Sequence, residues 1–296
     1  MVINHNIASM NAQSSLYTSN YHMQKSIEKL STGLRINRAS DDAAGLSVSE
    51  NLRAQVRGLQ MADRNAQDGI SAMQIAEGAL NEVSAILQRM REISVESATE
   101  TYTNTDRGYL NQEFAHLSEE ITRITKTTEF NGIKLLDGSW KDRDLQVGSN
   151  NSTDDRLTTS ITSINAISLG IAIKTNAAET AGAADATTAA NSTTGAQVAI
   201  HNKTFAQQAI TELDEALDTV NQQRSKIGSY VNRLEHTVAN LKNSALNMQA
   251  AESQIRDTDV GNEMANFTKL QILSQAGTSM LGQANQVPQQ VMSLFQ

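Results

Sequence analysis

The side chains that most often bind metals or catalyse reactions are scattered along this sequence. The five histidines are His5, His22, His116, His201 and His236. They form no HExxH motif and no short-spaced pair, so we interpret them as helix-surface residues rather than metal ligands. Asp41 and Asp42 stand next to each other where a loop is predicted to enter a helix. Capping of that helix by Ser40 or Asp41, with Asp42 near the helix dipole, is a better interpretation than acid–base catalysis.

Other motifs of catalysis and ligand binding do not occur either. The chain contains no cysteine, no Walker loop and no GxSxG motif, which removes the common thiol, phosphate-binding and hydrolase signatures. Its methionines fall mostly at heptad positions, where they are typical of core packing. The sequence therefore predicts no catalytic residue, no metal and no cofactor, and a protein that is not an enzyme.

Composition favours long helices and disfavours nucleic-acid or membrane binding. The chain has 296 residues, 39% of them hydrophobic but only 4% aromatic, with one proline and a formal net charge of −8. A net negative chain is a poor ligand for nucleic acid or anionic lipid, and no apolar run is long enough for a membrane span. The first residues also lack the basic and apolar regions of a signal peptide, so any export is predicted to use another route.

Heptad spacing of apolar residues is the main secondary-structure signal in the sequence. The longest apolar stripe, in steps of four and three, predicts a helix over about 204–255; its members are Ala206, Ile210, Leu213, Leu217, Val220, Arg224, Ile227, Val231, Leu234, Val238, Leu241, Ala245 and Met248. A second helix is predicted from about Asp42 to Ala98, and a third around Leu110–Ile124. Gly33 is expected to end a first helix.

A different pattern follows in the middle of the chain. Asn131-Gly132 and Asp137-Gly138 are turn dipeptides, and alternation at Leu157, Thr159 and Ile161 is typical of a strand. We therefore expect β-hairpins at about 130–173. The segment after them is nearly all Ala, Thr, Asn, Gly and Ser, and such a composition predicts a short exposed insert over 175–203.

Both ends of the chain carry amphipathic helical patterns with very few charges. The first 34 residues contain only Lys25, Glu28 and Lys29, and residues 264–296 contain only Lys269. Because solvated helix faces usually carry many charges, we expect the two ends to pair with each other and then with further copies of the chain. The predicted self-assembly residues are Ile3, Ile7, Met10, Leu30, Leu34, Leu270, Leu273, Met280, Val287, Val291 and Leu294.

Long motifs along the chain resemble those of bacterial flagellins. They are Ile3-Asn4-His5-Asn6, the segment from Ser26 to Leu59, FNGIKLLDG at 130–138, NRLEHTVANL at 232–241 and ANQVPQQVMSLFQ at 284–296. The resemblance covers nearly the whole chain except about residues 140–200. It implies a structural subunit that self-assembles into the bacterial flagellar filament, which serves motility.

The resemblance also implies a fold and a domain organisation. The expected fold is mainly α, an elongated bundle of long coiled-coil-like helices with a small β-hairpin region and with the N- and C-terminal helices paired. Residues 1–44 and 257–296 would form an inner-tube helical domain that includes the connector 33–42. Residues 45–174 and 204–256 would form a surrounding rod domain, and 175–203 would be the variable surface insert.

Location and partners follow from the same resemblance. Family members leave the cell through the flagellar type III export channel, so the chain is expected to be secreted and extracellular, in the flagellum. Its expected partners are further copies of itself, a flagellar export chaperone and the filament cap protein. The segment 87–98 resembles the motif bound by the vertebrate Toll-like receptor for flagellin, which assigns receptor recognition to Arg89, Ile93 and Glu113. At position 93 isoleucine replaces the family's usual leucine.

Two alternatives remain open from the sequence. A hook–filament junction protein shares long heptad helices at its ends, although the motifs at 35–45 and 284–296 favour flagellin. A secreted membrane-acting translocator would use its amphipathic ends to enter lipid, but those helices carry few Lys and Arg residues.

Overall fold

The computed structural model describes residues 6–171, 200 and 202–293, with side chains up to residue 286. Within these residues it contains five helices and four short strands. The helices are α1 (Ile7–Thr32), α2 (Ala43–Ser97), α3 (Asn104–Thr127), α4 (Lys203–Arg256) and α5 (Val260–Ser293). The strands are β1 (Glu129–Phe130), β2 (Ile133–Lys134), β3 (Arg143–Gln146) and β4 (Arg156–Thr159). The predicted mainly α fold with long helices and a small hairpin region is confirmed.

The chain divides into two compact units. The terminal unit consists of residues up to Arg57 together with those from Ser244 onward, and the central unit is Gly58–Asn243. Each unit therefore has its own packing, and α2 and α4 each contribute residues to both. The predicted insert, apart from residues 200, 202 and 203, lies outside the described residues.

The core of the central unit is a single apolar cluster from α2, α3, α4 and the hairpin region. Its largest fully buried side chains include Met73, Leu80, Leu87, Met90 and Phe114. They recur at helical spacing because each helix turns one stripe inward. A smaller cluster of Ala66, Leu157 and Leu234 joins α2, β4 and α4.

At alternate turns of α4, the buried residue lies one position before the residue that the heptad pattern predicts to be buried. Ala209, Ala216 and Gln223 are buried, whereas the predicted Ile210, Leu217 and Arg224 are only half-buried. The small side chains of Ala209 and Ala216 allow closer approach of neighbouring side chains. The polar residue that interrupts the buried apolar stripe is therefore Gln223, whereas the heptad pattern places this interruption at Arg224.

The two hairpins form where the turn dipeptide and the alternation predict strands. β1 pairs with β2 across Asn131-Gly132, both of which have positive φ values, 50° and 76°. These are the angles that favour Asn-Gly in two-residue hairpins. β3 pairs with β4, whose residues Leu157 and Thr159 face inward. Thr159 Oγ1 accepts a 3.0 Å hydrogen bond from Nε1 of Trp140, so the single tryptophan is buried with its polar atom satisfied.

Two glycines of α2 permit a matched test of packing in the central unit. A Cβ on Gly58 would lie 2.9 Å from Cβ and 3.4 Å from Cα of Ser149, whereas a Cβ on Gly78 would meet nothing within 4 Å. We expect Gly78→Ala to raise the free energy of unfolding by about 0.5–1 kcal/mol through helix propensity. We expect Gly58→Ala to lower it by about 1–2 kcal/mol because the loop backbone cannot move away cheaply.

Urea unfolding of the two variants and the parent chain measures both effects. Equal stabilisation by both substitutions would contradict the close contact between Gly58 and Ser149.

Candidate functional site

Helices α1 and α5 pack against each other in the terminal unit along a narrow seam. Gly277 of α5 faces Leu16 of α1 in this seam, and a Cβ on Gly277 would lie 3.3 Å from Cδ1 of Leu16. On α5, the half-buried residues that mark the seam alternate steps of four and three; they are Glu263, Phe267, Leu270, Ser274, Gly277, Leu281 and Ala284. This spacing is that of a coiled-coil stripe. The predicted pairing of the terminal helices is thus confirmed.

Polar contacts set the direction and register of this helix pair. Asn6 Nδ2 donates to the carbonyl of Ala284 at 2.7 Å, and Ser274 Oγ donates to Asn20 Oδ1 at 2.9 Å. At the other end, Ser26 donates to a carboxylate oxygen of Glu263. The residue numbers rise on α1 as they fall on α5, so the helices are antiparallel. Because a shift of one turn would break all three bonds, the polar contacts specify one register.

A second apolar row on α1 lies outside the seam. It consists of Ile7, Met10, Tyr17 and Tyr21, and Tyr17 is 75% exposed. On α5, Leu273 and Met280 are likewise exposed next to the seam. No charged residue occurs between Ile7 and Tyr21 or between Leu270 and Asn285. Large exposed apolar side chains on uncharged helices mark an interaction surface rather than a solvated face.

The predicted self-assembly residues therefore fall into different environments. Ile7, Met10, Leu273 and Met280 are exposed, while Leu30, Leu34 and Leu270 are half-buried. Leu270 belongs to the seam, so its side chain is used inside the subunit. Ile3 and Leu294 lie outside the described residues, as do the side chains of Val287 and Val291.

The polar seam residues were missed by the sequence interpretation. Asn6, Asn20, Ser26 and Ser9, whose Oγ donates to Asn285 Oδ1 at 2.8 Å, are polar, whereas the predicted stripe consists of larger apolar side chains. The available signal was that these polar residues recur at helical spacing, 3, 11 and 6 residues apart, between the rows of apolar positions.

The connector between α1 and α2 is a tightly bonded turn. Gly33 ends α1 with a φ of 71°, as predicted for a C′ glycine. Its carbonyl accepts from the N–H of Thr258 at 2.9 Å, and the N–H of Arg35 donates to the carbonyl of Arg256 at 2.7 Å. Ile36 is buried beneath these bonds. The connector thereby attaches α1 to the junction between α4 and α5.

Asp41 organises this connector, and the prediction that Ser40 or Asp41 caps α2 is wrong. Its carboxylate accepts from Lys25 Nζ at 2.9 Å and from the backbone N–H of Arg38 at 3.1 Å. Asp42 supplies the cap, since its Oδ1 accepts from the N–H of Gly45 at 2.8 Å. The hydrogen bond from Lys25, followed by the one from the Arg38 backbone, lowers the pKa of Asp41 to about 2.

The predicted receptor residues lie in the central unit, in two different environments. Arg89 donates through Nη2 to Glu113 Oε1 at 2.9 Å and through Nη1 to Glu92 Oε2 at 3.1 Å, and all three side chains are exposed. The carboxylate of Glu113 raises the pKa of Arg89 above its usual value. Ile93, in contrast, is completely buried in the core. A partner at this surface would touch Arg89 and Glu113, whereas Ile93 supports them from below.

A metal site among the residues that the structure describes would need several His, Asp or Glu side chains close together. In this part of the chain no three His, Asp or Glu side chains gather closely enough to hold a metal ion. None of the described helices is long and apolar enough to cross a membrane. The structural features that distinguish the chain are thus its helix faces.

Comparisons with known proteins connect these features to a family. The model of the bacterial flagellin N-terminal helical region matches residues 3–141, and that of the C-terminal helical region matches residues 210–295. The chain is 48% identical to a flagellin of Halalkalibacterium halodurans and 42% identical to flagellin FlaB2 of Treponema pallidum, each over the full length of both chains.

Similarity to solved structures concerns the fold alone. A structure of a hook-associated protein, described as putative, from Vibrio parahaemolyticus covers 73% of this chain and all of its own with a TM-score of 0.55 at 15% identity. A Bacillus cereus flagellin structure covers 64% of this chain and 94% of its own with a TM-score of 0.46 at 27% identity.

The lowered pKa of Asp41 predicts how stability depends on pH. Because the folded-state pKa of about 2 lies below the unfolded value, ionised Asp41 stabilises the fold above pH ~4, and this contribution is lost as the pH falls towards 2. We expect Asp41→Asn to have a lower unfolding temperature than the parent chain at pH 6. The difference between the two unfolding temperatures should become smaller as the pH approaches 2.

Thermal unfolding followed by circular dichroism between pH 6 and pH 2 measures this difference. Asp42→Asn is the matched control, since asparagine retains the capping oxygen. A difference for Asp41→Asn that stays constant across this range would contradict the assigned role of its charge.

Proposed function

The chain belongs to the bacterial flagellin family, and from this membership we propose that it is a structural subunit that self-assembles into the flagellar filament for motility. The observation that carries this proposal is the exposed apolar row of Ile7, Met10, Tyr17 and Tyr21 on the part of α1 that contains no charged residue. Its partner cannot be α5, because α5 already packs against the opposite side of α1. A second subunit is the partner that family membership supplies.

Burial of this row gives assembly its driving force. Covering one large apolar side chain contributes about 1.5–3 kcal/mol when its whole surface leaves water. A head-to-tail contact that does not close into a ring repeats along an open helix, which is the symmetry of a filament. Leu273 and Met280 on α5 extend the exposed apolar area beyond α1. The proposed assembly residues are those identified from the sequence except Leu270, which packs in the seam, together with the exposed Tyr17 and Tyr21.

The proposed domains follow the family organisation. We assign residues 1–44 and 257–296 to the inner-tube helices, and 45–174 with 204–256 to the rod domain. The separation of the described chain into a terminal and a central unit supports a two-part organisation. Residues 175–203 remain the proposed surface insert.

The proposed route and partners outside the filament also come from family membership. The chain would be exported to the cell exterior through the flagellar type III channel. An export chaperone would cover its assembly surface before export, and the cap protein would guide insertion at the filament tip. Uncharged apolar helix faces support a need for such protection, since they associate before export if left uncovered.

A receptor interaction is a second proposed function of the central unit. The exposed pair of Arg89 and Glu113 supports recognition by the vertebrate Toll-like receptor for flagellin. An arginine held in place by two carboxylates presents its remaining donors in a defined direction. Ile93 contributes by packing rather than by contact, because its side chain is buried.

Assembly is tested by placing charge on the exposed part of α5. The double substitution Leu273→Asp with Met280→Asp should abolish filaments, since an unpaired carboxylate in a packed contact costs several kcal/mol. The monomer should remain helical because both positions are exposed in the isolated chain. Leu273→Met with Met280→Leu keeps the apolar surface and should still polymerise.

Electron microscopy after seeded polymerisation, with circular dichroism of the monomers, measures both properties. Long filaments from the parent chain would also distinguish a filament subunit from a hook–filament junction protein, because a junction protein should not form long filaments. Filaments of ordinary length from the charged variant would contradict the proposed role of Leu273 and Met280.

Receptor recognition is tested with two exposed arginines. We expect Arg89→Ala to reduce activation of receptor-expressing reporter cells by about tenfold, as loss of one charged contact at an interface commonly does. Arg123→Ala is the matched control because Arg123 forms a similar exposed pair with Glu120 on α3. Equal responses to the two variants would rule out a specific role for Arg89.

The role of Ile93 is tested separately by measuring the stability of a variant. Ile93→Ala should lower the free energy of unfolding by about 2–4 kcal/mol, because it opens a cavity in the core. Reporter activity that falls without any loss of stability would instead indicate direct contact with the side chain.

A further inference from the structure

The two most exposed methionines among the described residues lie on the faces that the proposed function requires to be buried in the filament. Met10 on α1 is 60% exposed and Met280 on α5 is 64% exposed. In the central unit, by contrast, Met73 and Met90 are fully buried. The two thioethers on the assembly surface are therefore open to solutes in the free subunit.

Exposure of the thioether determines how readily methionine is oxidised. A hydroperoxide transfers one oxygen atom to sulfur, so that an S–O bond forms as the O–O bond breaks. Sulfur loses two electrons, the peroxide is reduced, and hydrogen peroxide leaves as water after the transferred hydroxyl gives up its proton. The product is methionine sulfoxide, which is polar and which reductases can convert back to methionine.

The surroundings of Met10 and Met280 make a sulfoxide costly in an assembled contact. The new oxygen is a hydrogen-bond acceptor, and it needs a donor once water is excluded. The neighbouring exposed positions Ile7 and Leu273 are aliphatic, and the flanking helix segments contain no charged donors. An oxidised side chain would thus bring a strong acceptor, with no charged donor nearby on its own helix, into a contact between apolar side chains.

We propose that Met10 and Met280 form an oxidation-sensitive site that controls polymerisation. Oxidation of these two sulfur atoms in the free subunit blocks assembly, and assembly in turn shields them from oxidant. This inference rests on the proposed function, because it needs the two side chains to be buried between subunits.

The free subunit also contains an internal reference. Met264 on α5 is 47% exposed, beside the charged Glu263, and is a reference within the terminal unit. Met61 on α2 is 48% exposed and belongs to the central unit. It should be oxidised in the free subunit together with Met10 and Met280, while Met73 and Met90 should react far more slowly. Its oxidation therefore separates damage in general from damage at the assembly surface.

The test treats the full-length monomer with hydrogen peroxide, removes the oxidant with catalase, and measures sulfoxide by peptide mass spectrometry. Oxidised parent chain should show a critical concentration raised at least about tenfold, since one unpaired buried polar group lowers an association constant by roughly that factor. The variant with both Met10→Leu and Met280→Leu should polymerise normally after the same treatment. The matched control Met61→Leu should remain as sensitive as the parent chain.

A second measurement exposes preformed filaments to the same oxidant. Met10 and Met280 should now react at least about tenfold more slowly than in the monomer, because burial restricts access of the oxidant. Equal rates in monomer and filament would overturn the proposal, as would unimpaired assembly of oxidised parent chain. Normal polymerisation of the oxidised Met61→Leu variant would also overturn it, because the oxidation-sensitive site would then be Met61.

The unoxidised parent chain distinguishes this proposal from the proposed function. If it forms no filaments, the proposed function itself fails. If it forms filaments and oxidation has no effect, only the inference about Met10 and Met280 fails. Circular dichroism of the oxidised monomer completes the design, since loss of helix before assembly would assign the effect to unfolding and contradict a surface mechanism.

Discussion

Close antiparallel packing of α1 and α5 through small and polar side chains is the interaction on which the terminal unit depends. Gly277 allows Leu16 to approach, and Asn6, Asn20 and Ser274 complete the seam with hydrogen bonds. These short side chains lie among larger seam residues such as Leu270 and Leu281, while other large apolar residues, such as Met10, Tyr17 and Met280, remain outside. One helix pair thus combines a specified internal register with an apolar surface available to another subunit.

The distribution of charge supports the same division of roles. The terminal unit contains eight basic and eight acidic residues, so the entire net charge of −8 belongs to the central unit. Terminal helices of neighbouring subunits can therefore approach without net repulsion, because basic and acidic residues balance within each terminal unit. In α1 and α5 the few charges are confined to residues 25–29 and 263–269, which leaves the other half of each helix free for apolar contacts.

The connector links these contacts to the rest of the terminal unit. Asp41 draws together Lys25, on the last turns of α1, and the backbone of Arg38. Glu50 and Glu252 add ion pairs with Arg256 and Arg53, respectively, between α2 and α4. Each of these exposed or half-exposed pairs contributes little alone, but together with the buried Ile36 they restrict the direction in which α1 leaves the connector.

The sequence by itself determined the helices, the hairpin turns and the family. Heptad spacing placed α4 within two residues of its observed ends, and Asn131-Gly132 marked a turn whose positive φ angles few other residues tolerate. The sequence also shows directly that both ends of the chain contain few charged residues. These features depend on residues close together in the chain, where periodicity and backbone preference act directly.

Only the tertiary structure decided which face of each helix is buried. Along α4 the inward positions are Ala209, Ala216 and Gln223 rather than their larger neighbours, and along α1 the apolar row of Met10 and Tyr17 faces outward. An apolar stripe is wide enough for several rotations of a helix, so its spacing leaves the rotation open. The partner helix settles it, because side-chain volumes and hydrogen bonds from a distant segment must fit together in one register.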